Sequence, residues 1–166
     1  SGLREWTARQ GVWLVTGSFA EFDPATTAVY NTSLLIDPRG AIAARYRKRH
    51  LFNIDLNAAT RCSEGDVFTP GDALTCVTTT AGTLGWGICF DLRFPEQFRA
   101  LSRAGMEILL APSAFTETTG SVHWELLLRA RAVENLCYVV AANQVGEHSP
   151  NMRSYGHSCI VDPWGK

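Results

Sequence analysis

No run in this chain of 166 residues is long and apolar enough to cross a bilayer, which takes about 20 consecutive apolar residues, so no membrane-spanning helix is expected. The sequence also lacks a strong charge of either sign. Its formal balance is −1 at pH 7, and its one basic cluster, RYRKRH at 45–50, is short and flanked by hydrophobic residues. That is too little for the electrostatic footprint of a nucleic-acid binder, so neither nucleic acid nor membrane is expected as a partner. Cysteine occurs five times but never as C-x-x-C, and the spacings of Cys62, Cys76, Cys89, Cys137 and Cys159 match no common zinc pattern. A metal site is therefore not expected. An odd, scattered set of cysteines fits reduced thiols in a cytoplasmic compartment, most of them small core residues. Cys137 in LCYVVAA and Cys159 in SCIVDP read as strand residues of that kind. No signal peptide or tail motif is visible.

What is present is an ordinary globular composition, 46% hydrophobic and 19% charged. The length suits one domain, 1–166, burying roughly 70% of the surface of the unfolded chain. LREWTARQG at 3–11 reads as the last turns of a helix closed by Gly11, with Leu3 and Trp6 on one face. VWLVTGSFAEF at 12–22 reads as a strand. YNTSLLIDPRGAIAARY at 30–46 reads as two strands joined by an Asp-Pro-Arg-Gly turn, and LTCVTTTAGTLGWGIC at 74–89 as a hairpin-like pair. Pro95 starts a short helix, MEILLAPSAF at 106–115 is an apolar strand, and Ser121 is the expected N-cap of a helix over 122–136. CYVVAANQ and GHSCIVDPWGK supply the last two strands. Alternating strands and helices with added hairpins predict an α/β (α+β layered) domain in which helices cover a sheet. SLLIDPRGAI and SCIVDPWGK share an apolar strand followed by Asp-Pro-x-Gly, but the second ends at Lys166 before a return strand, so the domain is expected to be incomplete at both termini.

Cys89, in TLGWGICFDLRFPEQF, sits where a small-residue strand meets a Pro-started helix. A core thiol, a redox thiol, a metal ligand and a nucleophile are all open readings of that position. Glycines before it allow close backbone approach, and a strand-to-helix elbow displays a side chain beside backbone N–H groups that can face an oxyanion. Upstream, Lys48 lies in RYRKRHLFNIDL and Glu64 in RCSEGDVFTPG. A lysine beside a carboxylate stays charged and fixed, as the negative oxygen of a tetrahedral intermediate requires. Singly, a solvated loop cation and a turn carboxylate explain them as well.

Together these segments resemble the nitrilase, or carbon-nitrogen hydrolase, superfamily. YRKRHLF, CSEG and GWGICFDLRFPE correspond to that family's segments carrying a lysine, a glutamate and a cysteine, in that order. The resemblance continues through GMEILLAPSAF, HWELLLRARAVEN, YVVAANQVG and YGHSCIVDPWG, nearly the whole chain, and is strongest toward the branch acting on deaminated glutathione and ω-amides. It implies a nitrilase-type αββα sandwich and thiol-dependent hydrolysis of a small-molecule amide with release of ammonia. By transfer of the motifs, Cys89 is the nucleophile, Lys48 and the Phe90 backbone N–H support the oxyanion, and Glu64 orients Lys48 and the leaving ammonia. No cofactor is implied, and a homodimer or higher homo-oligomer is.

The family's general-base glutamate precedes the lysine by more residues than this chain has there, so it is expected to fall before Ser1. Glu5, in the opening helix, and Glu21, after GSFA, do not match its motif, and residues 1–166 alone are expected to be inactive. Arg93, Phe115, His123 and Glu125 are the candidate substrate-binding residues, although Asp91 and Arg93 also fit an ion pair bracing the elbow. Leu92 stands where relatives acting on N-carbamoyl amino acids carry a second arginine. An N-carbamoyl or nitrile hydrolase, and a catalytically incomplete dimerising or binding remnant, are the alternative readings.

Overall fold

The computed structural model describes residues 2–55, 61–149 and 152–166, which gather into two compact units, 1–73 and 74–166. The first opens with α1 (Gly2–Gln10), which stops at Gly11, a residue at φ +63° whose N–H returns to the Thr7 carbonyl. Leu3 and Trp6 are exposed, and the buried residue of α1 is Thr7. Arg4 Nε donates to the Gly40 carbonyl at 2.7 Å, tying the helix to the turn between two strands.

The single strand expected over 12–22 is two strands, β1 (Leu14–Val15) and β2 (Phe19–Asp23). Both pair antiparallel with β3 (Ala28–Ile36), Leu14 opposite Ile36 and Phe19 opposite Thr32. The break has a chemical cause: the Thr16 hydroxyl, not a carbonyl, accepts the Leu34 N–H at 3.0 Å, and Gly17 turns to φ +68°. β4 (Ile42–Arg47) returns along the other edge of β3 after the expected Asp-Pro-Arg-Gly turn. There the Asp37 carboxylate takes the N–H groups of Arg39 and Ala41, and the Gly40 N–H reaches the Asp37 carbonyl. A short antiparallel ladder, β5 (Asn53–Asp55) with β6 (Arg61–Ser63), runs into a 3₁₀ turn at Glu64–Asp66.

The second unit comprises β7 (Cys76–Thr79), β8 (Gly82–Trp86), α2 (Pro95–Arg103), β9 (Ile108–Leu110), α3 (Glu117–Asn135), β10 (Tyr138–Ala141), β11 (Val145–Ser149), β12 (Met152–Tyr155) and β13 (Cys159–Val161). Its five-stranded sheet has the order β13-β10-β9-β8-β7, with β8, β9 and β10 parallel and the two outer strands antiparallel. Both crossovers, through α2 and through α3, step the same way across the sheet, and right-handed connections then put both helices on one face. Leu109, Val139 and Val161 share a register row and a core with Phe98 and Leu101 of α2 and Trp124, Leu128 and Ala132 of α3.

Two expectations are corrected here. α3 begins one turn before the expected N-cap Ser121: Thr116 is the cap, its hydroxyl accepting the Thr119 N–H, and Ser121 lies inside the helix with its Oγ on the Thr118 carbonyl. The hairpin β11/β12 was not foreseen, because its strands are largely exposed and carry no apolar alternation. After β13 the Asp-Pro-Trp-Gly turn repeats the first: the Asp162 carboxylate takes the N–H groups of Trp164 and Lys166 at 2.9 Å. Among the described residues no helix is long and apolar enough to cross a membrane.

Candidate active site

The parallel strands end at one rim, and backbone bonds continue beyond them. Gly87 N–H donates to the Leu110 carbonyl at 3.0 Å, Cys89 N–H to Pro112 at 3.1 Å, and Ser113 N–H to Ala142 at 2.8 Å. The C-terminal rim of parallel strands is where α/β folds place their ligand sites. Cys89 opens a 3₁₀ turn, Cys89–Arg93, and holds φ +50°, left-handed and unusual for a residue with a Cβ. That conformation costs on the order of 1–2 kcal/mol and persists because neighbours hold it on both sides. The fully buried Asp91 carboxylate accepts the Ile88 N–H at 2.8 Å, and Gln97 Nε2 donates to the Trp86 carbonyl at 3.0 Å. Gly87 is required by packing: a Cβ there would stand 2.7 Å from Phe98 Cε1. The strand-to-helix elbow read from GWGICFDLRFPE is therefore present, with Cys89 half-buried at its corner.

Arg93 does not brace the elbow through Asp91. Its Nη2 lies 3.2 Å from His123 Nδ1, and its guanidinium stands 5.7 Å from the ring centre of Phe90 and 5.8 Å from that of Phe115. Arginine only donates, so His123 Nδ1 accepts and the imidazole proton sits on Nε2. Phe115 is 3% exposed and packs against Trp124 at 5.0 Å between ring centres. Its N–H is held by Asn143 Oδ1 at 2.9 Å, while Asn143 Nδ2 reaches the Gly156 carbonyl at 2.6 Å. The sequence reading missed Asn143; a polar residue closing the apolar run YVVAA was the available signal. Glu125 is exposed on α3 and bears electrostatically on Tyr155 and Cys159, both of which it helps to hold above their ordinary values, after burial.

In the first unit Lys48 is 1% exposed, and its ammonium is ion-paired with Glu64 Oε2. The same oxygen accepts the Phe52 N–H at 2.7 Å, and the Glu64 N–H returns to the Phe52 carbonyl at 3.1 Å, so Glu64 is held by both its side chain and its backbone. The Lys48 backbone is held between the Asn31 carbonyl and the Gly71 N–H, both at 2.8 Å. Glu21 is committed elsewhere. It accepts from Arg45, Arg47 and the Thr32 hydroxyl. Burial works to raise its carboxyl, but the bonds from Arg47 and Thr32 outweigh it and leave the group below its ordinary value.

Burial pushes Cys76 and Cys159 up and Cys137 up to about 11, which keeps them protonated near neutrality. The Cys62 side chain lies outside the described residues. Among the described residues, no cluster of three or more His, Cys, Asp or Glu could hold a metal ion.

The carbon-nitrogen hydrolase family model matches residues 1–166. The deaminated glutathione amidase of Yersinia enterocolitica is 46% identical over 166 residues, covering 99% of this chain and 58% of that protein. The crystal structure of the Caenorhabditis elegans NitFhit protein superposes with a TM-score of 0.92 at 45% identity, over 99% of this chain and 40% of that one. A mutant of the amidase from Nesterenkonia sp. AN1, with the acetamide moiety of fluoroacetamide covalently added at its active-site cysteine, superposes with a TM-score of 0.84 at 29% identity, over 100% of this chain and 59% of that one. The chain thus spans little more than half the length of the curated relatives it matches. Its mixed α/β fold is that of the nitrilase superfamily, as the motifs implied. With a family model matching from end to end and near-half identity to named amidases, the chain belongs to the carbon-nitrogen hydrolase family.

Proposed function

We propose that this chain carries the acyl-transfer machinery of a small-molecule amidase. Cys89 is the nucleophile, Lys48 and the Phe90 N–H support the oxyanion, and Glu64 orients Lys48 and the departing ammonia. The observation that carries this reading is Cys89 itself, left-handed at φ +50° on the first residue of the turn after β8. Thr27, Leu136 and His157 also hold positive φ, but only Cys89 combines that strain with a nucleophilic side chain at a strand-to-helix elbow, where a displayed nucleophile sits. The clamped Lys48–Glu64 pair supports it, since a fixed ammonium is a ready partner for a developing oxyanion. So do the amidase relatives and the cysteine adduct of the Nesterenkonia enzyme.

In the cycle, the Cys89 thiolate attacks the amide carbonyl carbon and its electrons move onto oxygen. The C–N bond then breaks as nitrogen takes up a proton from solvent, equal to the one the Cys89 thiol released to solvent on ionising; ammonia leaves, and a thioester remains on Cys89. Water hydrolyses the thioester to the acid and restores the thiol. The water step needs a base, which neither Glu21, held by Arg45 and Arg47, nor a cationic Lys48 provides. On this reading residues 1–166 by themselves stop at the acyl-enzyme, and the base comes from outside them.

The substrate is a short ω-amide of a dicarboxylic or oxo acid. Arg93, seated against Phe90, Phe115 and His123, meets its free carboxylate, and Glu125 borders the same stretch of α3. The working protein is a cytoplasmic homodimer or higher homo-oligomer, with 1–166 forming part of a single catalytic domain. The test incubates the chain and Cys89→Ala with ω-amides, nitriles and N-carbamoyl amino acids, reading ammonia per chain and the mass of the Cys89 peptide. One equivalent of ammonia and a thioester from ω-amides, absent in Cys89→Ala, is expected, with Lys48→Met slower by roughly 10²-fold. A nitrile or carbamoyl preference overturns the substrate assignment, multiple turnovers overturn the external base, and no Cys89 adduct from any compound leaves a binding remnant.

A further inference from the structure

The sequence RARAVEN at the end of α3 takes no part in the chemistry described so far, yet its Arg131 is built into the elbow from behind. The guanidinium is 7% exposed, and both Nε and Nη2 donate to one carbonyl, that of Leu92, at 3.0 and 2.7 Å. Leu92 lies inside the 3₁₀ turn that Cys89 begins. The third guanidinium nitrogen, Nη1, is neutralised by Glu134 Oε1 at 2.7 Å, and Asn135 Nδ2 holds the Arg131 carbonyl at 2.9 Å. Arg131 also stands 5.6 Å from the ring centre of Phe98, the ring that blocks any Cβ at Gly87. One buried cation therefore grips the turn after Cys89 and backs the ring beneath the residues before it.

We propose that Arg131 is a positioning residue for the nucleophile. By pinning the Leu92 carbonyl it fixes the direction in which Cys89 Sγ and the Phe90 N–H present themselves to a carbonyl group. A forked pair of charge-assisted bonds resists both sliding and rotation of that carbonyl, which a single donor does not. It adds a grip on the far side of the turn to those that Asp91 and Gln97 supply before and beside Cys89.

This inference rests on the Cys89 acyl-transfer reading, and its test separates the two. Acyl transfer from a p-nitrophenyl ester needs attack on carbon together with oxyanion support: the C–S bond forms, the C–O bond breaks, and nitrophenolate leaves with the electron pair. Alkylation by iodoacetamide displaces iodide from a saturated carbon and needs no oxyanion geometry. The chain, Arg131→Lys and the double variant Arg131→Met/Glu134→Gln are compared in both reactions, with circular dichroism reporting folding. The double variant leaves no buried charge unpaired. Arg131→Lys should lower the maximal acylation rate by about 10-fold and the double variant by up to about 100-fold. The half-saturating ester concentration and the iodoacetamide rate should stay within about threefold. Equal acylation rates in all three proteins would overturn the positioning role, as would a parallel loss of both reactions. Failure of the unmodified chain to acylate at Cys89 would overturn the underlying reading instead.

Discussion

The Lys48–Glu64 pair should respond asymmetrically to loss of either partner. Lys48 is 1% exposed, whereas the Glu64 side chain is 21% exposed and keeps a second bond, from the Phe52 N–H. Removing the carboxylate charge by Glu64→Gln strands a buried ammonium, and breaking a buried pair in this way costs about 3–5 kcal/mol. The substituted amide still offers an oxygen to the ammonium, which brings the expected loss to about 2–3 kcal/mol. Removing the ammonium by Lys48→Met leaves a carboxylate that is partly hydrated and still hydrogen-bonded, while methionine keeps the apolar stem. Its expected cost is within about 1 kcal/mol. For a chain of this size each kcal/mol moves Tm by roughly 2–4 °C, so Glu64→Gln should melt about 4–12 °C lower and Lys48→Met within about 4 °C of the parent. Both should acylate slowly, so stability and chemistry part company. Thermal melts followed by circular dichroism at pH 7, beside the ester acylation rate, give both readings. Equal melting losses, or a larger loss for Lys48→Met, would refute the argument that burial is concentrated on the lysine.

Iodoacetamide at pH 7 should label Cys89 well before Cys76, Cys137 or Cys159, because burial raises the latter three; mass mapping that finds Cys137 first would contradict this. Gly87→Ala places a Cβ 2.7 Å from the fully buried Phe98 ring and should cost about 1–3 kcal/mol while slowing acylation, and an unchanged urea midpoint would refute it. Glu21 lies below its ordinary value, so its stabilising contribution is present above the unfolded carboxylate range near pH 4.3 and fades as pH falls through the folded value. Urea midpoints of the parent and Glu21→Gln should therefore differ at pH 7 and converge as pH falls through the lowered folded value; a constant gap would count against the Arg45 and Arg47 pairing.

Much of the molecule was legible in the sequence because its signals are local. Asp-Pro-x-Gly specifies its own turn, since the aspartate carboxylate reaches N–H groups only two and four residues ahead, and this works identically at Asp37 and Asp162. Pro95 at the start of α2 and Gly11 after α1 mark their helix ends by backbone preference alone. The order of Lys48, Glu64 and Cys89 within their motifs identified the family.

Other features depend on partners distant along the chain. Whether 12–22 is one strand or two was decided by the Thr16 hydroxyl finding the Leu34 N–H, and propensity does not encode that choice. Arg93 turned from nearby Asp91 to His123, thirty positions on, because α3 brings a neutral acceptor and two aromatic rings around it. Asn143 and Arg131 look like ordinary polar punctuation in the sequence. Only the packing of α3 and the rim of the sheet against the elbow makes one the holder of Phe115 and the other the holder of Leu92. Motif order says which side chains can do the chemistry, but their aim is a property of long-range contacts and exists only once the chain has folded.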